Sequence, residues 1–115
     1  MIDFACKRFE LKEIIKCSLG LTRSDCKVMQ FLLEQDEEYY TTEEISKKLA
    51  LDLTTVQRSV KKLRERGVVQ RRQENLSGGG YVFLYQIEDK RKIREVISDI
   101  VMSWARTVKA ELQKW

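Results

Sequence analysis

Histidine and proline are both absent from the 115-residue chain, and each absence excludes something. Histidine is the commonest general base and the commonest metal ligand of proteins, so the usual catalytic and metal sites have no donor here. No nucleophile stands beside a base, and no paired carboxylates lie in an apolar setting. We therefore expect no enzymatic activity, no metal and no cofactor. Without proline, nothing marks a linker between domains, and we expect one domain with a helical extension.

Long apolar runs are missing as well, and cysteine is scarce. No segment approaches the roughly 18 to 20 apolar residues of a membrane span, and the N-terminal MIDFACKRFE lacks the core of a signal peptide. The cysteines Cys6, Cys17 and Cys26 show neither a CxxC spacing nor the pattern of a disulfide framework. Such cysteine usage fits a reducing compartment. The sequence thus predicts a cytoplasmic protein with no membrane partner.

What the chain does contain is positive charge concentrated in one segment. Residues 1–40 carry six Lys and Arg against eight Asp and Glu, whereas residues 53–73 carry seven Lys and Arg against Glu65 alone. The formal net charge of the whole chain is only +4 at pH 7. A strong local excess of positive charge is the electrostatic signature of a surface that binds a polyanion.

The first third of the chain predicts an N-terminal arm followed by two helices. The conformation of the arm, residues 1–9, stays open, because a short strand, an extended segment or the start of a helix would all explain its alternating apolar residues Ile2, Phe4 and Cys6. Apolar residues at helical spacing predict one helix from Glu10 to Gly20. A second begins at Thr22, with Asp25 in the capping-box position. The acidic residues 36–38 are predicted to connect it to the next helix.

Two short helices joined by a tight turn come next. Thr41 and Glu44 have the spacing of a capping box at the start of the first helix. Asp52 is placed to cap the second helix, which we expect to end at Gly67. One face of that second helix is apolar, and the opposite face collects Thr54, Thr55, Arg58, Lys61 and Lys62. Two short helices separated by a three-residue turn are typical of a helix-turn-helix.

After Gly67 the hydrophobic period changes from that of a helix to that of strands. The segments VVQRRQ and YVFLYQI are predicted strands, and the intervening NLSGGG is a predicted turn. A β-hairpin directly after a helix-turn-helix forms the wing of a winged helix. The predicted fold class is therefore mostly α (α+β), with a winged helix-turn-helix over residues 10–87.

Residues 88–115 predict one long C-terminal helix, capped by Asp89. Its apolar stripe exceeds what a single small wing could cover, and such a face usually pairs with a second copy. We therefore predict a homodimer whose interface contains the residues of this stripe: Ile93, Ile97, Ile100, Val101, Trp104, Val108, Leu112 and Trp115.

The segments SLGLTRSDCKVMQFLLEQ and TTEEISKKLALDLTTVQRSVKKLRERGVVQRR resemble the N-terminal DNA-binding domain of archaeal TrmB-type regulators. In broader terms they are similar to the MarR winged helices. The resemblance covers roughly residues 10 to 87 and implies DNA binding and dimerisation. Two positions depart from the family pattern, Ser46 where alanine is usual and Leu53 where a polar residue is common. The C-terminal sugar-binding domain of TrmB-type proteins is not in this chain, so the resemblance does not carry over sugar sensing.

The candidate site residues follow from the geometry by which a winged helix docks on double-stranded DNA. Side chains near the start of the recognition helix meet base edges, and those further along it meet phosphate. The predicted base-reading residues are Thr54, Thr55, Gln57 and Arg58. We assign backbone contacts to Thr41, Thr42, Lys61, Lys62, Arg64, Arg71, Arg72, Gln73, Asn75 and Ser77. Leu53 shares the apolar face of its helix, so we expect it to pack rather than to touch a thymine methyl group.

Several alternatives stay open beside this reading. A basic helix face can simply be solvated, and a winged helix can instead bind protein within transcription machinery or another macromolecular machine. An apolar cavity between the last helix and the first would admit an aromatic effector. Three thiols would permit redox sensing, although Cys17 and Cys26 are predicted on or beside apolar faces, where cysteine acts as a small hydrophobe. A small-molecule or redox effector is therefore unproven.

Overall fold

The computed structural model describes residues 1–35 and 37–115, and the predicted acidic connection at 36–38 therefore begins outside the described residues. Along the chain the elements are β1 (Ile2–Asp3), β2 (Arg8–Phe9), α1 (Leu11–Leu19), α2 (Arg23–Glu34), α3 (Thr42–Leu49), α4 (Leu53–Glu65), β3 (Val69–Asn75), β4 (Tyr81–Ile87) and α5 (Lys90–Lys114). This arrangement confirms the predicted winged helix-turn-helix with a long C-terminal helix.

The N-terminal arm is a small antiparallel hairpin, which settles the choice that the sequence left open. Ile2 pairs with Phe9 and Asp3 with Arg8, and the ring of Phe4 packs edge-on against that of Phe9 at 5.9 Å between centroids. The ammonium group of Lys7 lies 4.9 Å from the centroid of the Phe9 ring. An aromatic pair with a cation over it compensates for the short length of these two strands.

Most of the predicted helix termini are confirmed. Gly20 ends α1 in the left-handed conformation with φ of 64°, where a residue with a side chain would be strained. The capping boxes that begin α2 and α3 both form, and the Asp89 carboxylate accepts a hydrogen bond from the backbone of α5. Asp52 differs, because it stands at the N-cap position of α4 but its side chain accepts no hydrogen bond there. Its negative charge still lies at the favourable end of the helix dipole.

The core lies where α2 crosses α4, with α1, α3 and the base of the hairpin closed around it. The largest fully buried side chains come from all of these elements: Leu19, Val28, Leu32, Ile45, Val56, Val60, Leu63 and Val68. Burial of a Leu, Ile or Val side chain stabilises a fold by roughly 1.5 to 3 kcal/mol. The apolar helix faces that were predicted from residue spacing are thus the faces that pack together in the core.

β3 and β4 pair antiparallel from Val69 with Ile87 to Asn75 with Tyr81 and form the wing. A third short strand position, absent from the sequence prediction, completes the sheet. The Tyr40 amide donates to the Tyr85 carbonyl at 2.9 Å, and the Tyr85 amide donates back at 2.8 Å. This bridge joins β4 to Tyr40, the residue before the N-cap of α3. It therefore fixes the position of the wing relative to the helix-turn-helix.

α5 divides into a packed half and a projecting half. Ile93 is buried, and Ile97 and Ile100 pack against the core of their own domain. Residues 101–115 are all exposed, and the molecule measures 63 × 24 × 24 Å as a result. Ile93 was predicted in the dimer interface, but the domain's own core already covers it. Among the described helices, none has both the length and the apolar character needed to cross a lipid bilayer.

Candidate nucleic-acid interface

The turn between α3 and α4 is held by a serine where the resembled family usually has alanine. The Ser46 hydroxyl donates to the Leu51 carbonyl at 2.5 Å, and the Leu51 amide donates to the Ser46 carbonyl at 3.1 Å. Ala50 ends α3 with φ of 52°, a left-handed conformation that non-glycine residues rarely adopt. The two hydrogen bonds fix the angle at which α4 leaves the turn and so set the direction of the candidate recognition helix.

The exposed face of α4 carries two of the four predicted base-reading residues, with a basic residue one turn further on. Thr54 and Arg58 are exposed, as is Lys61. Successive residues are rotated by about 100° around a helix, so these three side chains point away from buried Val56, Ser59, Val60 and Leu63. Within residues 1–35 and 37–115, neither Arg58 nor Lys61 makes an ion pair. Their charges are therefore available to a partner.

Thr55 is less exposed than a predicted base-reading residue should be, and Leu53 is more exposed than a predicted packing residue should be. Thr55 is only partly exposed, so it lies at the edge of the free face rather than at its centre. Leu53 was expected to pack against the core, but its side chain is 36 % exposed. It is the first residue of α4, one turn before the buried stripe begins, and nothing closes over it there.

Lys62 is rotated about 100° around the helix from Lys61, and it bonds to the neighbouring helices of its own domain. Its ammonium group donates to the Asp25 carboxylate at 2.7 Å, and it lies 3.4 Å from the Gly20 carbonyl oxygen. Arg66, one turn later, donates to the Leu19 carbonyl at 3.0 Å. Both cations thus cap the junction between α1 and α2, where a helix end presents unpaired carbonyls. The ammonium group of Lys62 is thus engaged within the fold, and its predicted contact with the DNA backbone stays a prediction.

Asp25 is the acceptor at the centre of that junction. Its carboxylate receives hydrogen bonds from the Lys62 ammonium, the Ser59 hydroxyl at 2.6 Å and the Thr22 amide at 2.9 Å. Burial raises the pKa of Asp25, but these hydrogen bonds more than offset it and lower the pKa from 3.8 to about 2. The sequence showed the capping role of Asp25, whereas the contacts with α4 lie 34 and 37 residues away and leave no local signal.

On its other flank α4 meets the wing. Gln57 is exposed and lines an open cleft of about 270 Å³ together with residues of α3 and the wing: Thr42, Glu43, Tyr81, Val82, Phe83 and Tyr85. The predicted base-reading Gln57 and the predicted backbone contact Thr42 therefore share one concave surface. The Thr41 hydroxyl is engaged in the capping box of α3, where it accepts a hydrogen bond from the Glu44 amide at 3.1 Å.

The two wing arginines project from opposite faces of the hairpin, as the alternation of strand residues predicted. The Arg71 guanidinium lies 4.0 Å from the centroid of the Phe83 ring, and that of Arg72 lies 4.2 Å from the centroid of Tyr39. Arg72 also approaches the Glu74 carboxylate at 3.7 Å, an exposed pair that contributes little. Cation–π stacking leaves the edges of both guanidinium groups free to donate hydrogen bonds.

The wing tip carries the remaining predicted residues. All residues from Arg71 to Gly80 are exposed, which includes Gln73, Asn75 and Ser77. The turn is closed by the Leu76 amide, which donates to the Gly80 carbonyl at 3.0 Å, and Gly80 takes φ of 80°. Arg64 is likewise exposed near the end of α4. These side chains are therefore accessible to a partner.

The three cysteines are free thiols. Cys6 and Cys17 are exposed and Cys26 is partly exposed. Cys17 was predicted on or beside an apolar helical face, and its exposure corrects that expectation. Within the described residues no group of three metal-ligating side chains comes together.

Fold and site geometry define the class as a winged-helix domain with an exposed, partly basic recognition helix. A solved structure from Methanosarcina mazei, described as a possible transcriptional regulator, is 50 % identical to this chain, covers 100 % of it and 96 % of its own length, and superposes with a TM-score of 0.91. A homodimeric winged helix-turn-helix DNA-binding domain from Mycobacterium bovis has a TM-score of 0.51 over 79 % of this chain and 76 % of its own. At 20 % identity, that second likeness shows the fold alone.

The family follows from a match that covers most of the chain. The model of the DnaD N-terminal domain matches residues 9–108, and the chain belongs to this family. An uncharacterized protein of Methanocaldococcus jannaschii is 30 % identical over 109 residues, which is 95 % of this chain and 85 % of that protein. The broader winged-helix resemblance is confirmed, whereas the narrower TrmB-type resemblance stays a prediction.

Proposed function

We propose that this protein is a transcriptional regulator that binds double-stranded DNA sequence-specifically. The observation that carries the proposal is the free face of α4, where Thr54, Arg58 and Lys61 are exposed beside the cleft that contains Gln57. Arginine can form two hydrogen bonds with guanine and glutamine two with adenine, threonine can meet a thymine methyl group or a phosphate, and lysine suits phosphate. The wing, residues 69–87, supports the proposal because it adds exposed arginines on both of its faces, so that one of them can meet the same DNA as α4.

The site residues have separate roles in this proposal. Thr54, Thr55, Gln57 and Arg58 read base edges in the major groove, with Thr55 at the margin of the contact. The phosphate backbone is held by the remaining exposed or partly exposed residues: Thr42, Lys61, Arg64, Arg71, Arg72, Gln73, Asn75 and Ser77. Thr41 serves first as a helix cap, and Lys62 is omitted because of its bond with Asp25.

The proposal includes a homodimer, which the resemblance to TrmB-type and MarR-like regulators implies, and therefore a pseudo-palindromic operator. The projecting half of α5 supports it, because Val101, Trp104, Val108, Leu112 and Trp115 are exposed large apolar residues on one helix. Two recognition helices would then enter successive major grooves about 34 Å apart. The three free thiols fit a cytoplasmic location.

Selection from fragmented genomic DNA tests the proposal directly. The purified protein is mixed with fragments at about 150 mM salt, and the retained fragments are sequenced, since non-specific affinity is weak at that ionic strength. We expect enrichment of a short inverted repeat, with specific affinity at least about a thousandfold above that for random DNA. Equal, weak retention of all fragments would contradict the proposal and favour a protein-binding winged helix.

A further inference from the structure

The residues exposed on the projecting half of α5 follow a regular sequence repeat. Six residues follow one another at alternating steps of four and three: Ile97, Val101, Trp104, Val108, Glu111 and Trp115. This is the seven-residue repeat by which two helices pack side by side. The repeat begins at Ile97, which touches the core of its own domain, and continues along the exposed residues to the C-terminus.

After Ile97, the residues of this repeat are exposed in the described part of one copy of the chain. Val101 and Val108 are each 38 % exposed, Trp104 is 59 % exposed, and Trp115 is fully exposed. Helical stability in proteins comes mostly from packing of an apolar face, so a partner surface would stabilise this exposed half of α5. Leu112, which lies beside Glu111, adds another side chain that is 61 % exposed.

We propose that the partner is α5 of a second copy, packed antiparallel in one particular register. In that register Ile97 lies opposite the partner's Trp115, Val101 opposite the partner's Glu111, and Trp104 opposite the partner's Val108. Every position of the repeat thus finds a counterpart, and the C-terminal end of each helix covers the exposed edge of the other domain.

The single charged residue in the repeat separates this arrangement from a parallel one. A parallel pair in register would place Glu111 against the partner's Glu111, and like charges in contact are strongly unfavourable. The antiparallel register places each Glu111 against the partner's Val101, with the two Glu111 residues about 15 Å apart along the helix axis.

A pair of substitutions at one position tests the register. Val101→Lys and Val101→Glu differ in charge but not much in size, and position 101 is outside the buried core. In the antiparallel register Val101→Lys faces the partner's Glu111 and keeps the dimer within about tenfold of its original dissociation constant. Val101→Glu faces the same carboxylate and raises the dissociation constant by about 100-fold or more. The double variant Val101→Glu with Glu111→Lys restores association.

Sedimentation equilibrium measures these constants, and circular dichroism checks that each variant is folded. Met102→Glu is the matched control, because Met102 is 55 % exposed on the opposite side of α5 and should leave the dimer unchanged. This inference rests on the proposed homodimer, and the two can fail separately. Equal losses for both Val101 variants without rescue would overturn the register while the dimer stands. A monomeric wild-type protein at about 100 μM, far above the range of specific homodimers, would overturn both.

Discussion

Lys61 and Lys62 are adjacent and chemically identical, yet the fold gives them opposite tasks. Lys61 is exposed on the face of α4 that we propose meets DNA, whereas Lys62 donates to the buried carboxylate of Asp25. The difference comes from the 100° rotation between neighbouring residues on a helix. A helix that docks on DNA must also be held at a fixed angle to its own domain. In α4 the two tasks are divided between the two sides of a single basic segment.

The largest expected effect comes from removing the contact between Lys62 and the buried carboxylate of Asp25. Lys62→Met removes the cation and leaves the Asp25 carboxylate buried with too few donors, which we expect to lower the free energy of unfolding by roughly 2 to 3 kcal/mol. Urea unfolding monitored by circular dichroism measures it. Lys61→Met is the matched control and should change stability by less than about 0.5 kcal/mol. Similar losses for the two variants would show that the contrast between them is wrong.

On the exposed side, Arg58 should matter for sequence preference rather than for stability. We expect Arg58→Ala to weaken binding to the selected operator by roughly 1 to 3 kcal/mol and to relax the preference at the bases it contacts. Fluorescence anisotropy with operator and scrambled duplexes measures both affinities. Arg106→Ala, which removes an exposed arginine from the distant half of α5, is the control. If Arg58→Ala weakened both duplexes equally, Arg58 would be a backbone contact.

The pH dependence of stability tests the role of the buried Asp25 carboxylate. A carboxyl group whose pKa is lower in the folded than in the unfolded protein stabilises the fold above the unfolded value and loses that effect as pH falls. For Asp25 the window runs from about 3.8 down to about 2. We expect up to roughly 2 kcal/mol of stability to be lost across it.

Asp25→Asn isolates this contribution from that of the other carboxylates. The variant should be less stable than the wild type at pH 5, but its stability should fall less steeply between pH 4 and pH 2. Urea unfolding at stepped pH values gives both curves. Parallel curves for the two proteins would mean that Asp25 does not carry the shifted pKa.

Local patterns in the sequence predicted most of the fold because the decisive signals are local. The Thr22 and Thr41 capping boxes, Gly20 and the strand segments that flank the wing turn all act within a few residues, and the structure confirms them. The Tyr40 bridge to Tyr85 was not predicted, since a single strand position has no period that could reveal it.

The division of the basic residues could not be read from the sequence for a related reason. Helical spacing shows that Lys62 lies off the apolar face, but its partner Asp25 belongs to another helix and is already explained as a cap. Ile93 shows the same limit of helical spacing. Spacing places Ile93 on the apolar stripe of α5, but it does not show that the core of the same domain covers that side chain. Contacts between elements far apart in sequence decide both.

The smallest expected effect belongs to Lys61, and it separates a phosphate contact from a base contact. Lys61→Ala should weaken binding to operator and scrambled DNA alike, by about 1 kcal/mol at low salt. Because one fewer counterion is released, the slope of log affinity against log salt concentration should become shallower by about 0.9. Titrations from about 50 to 200 mM salt measure that slope. A larger loss on the operator than on scrambled DNA, with an unchanged slope, would instead make Lys61 a reader of bases and extend the base-reading surface one turn further along α4.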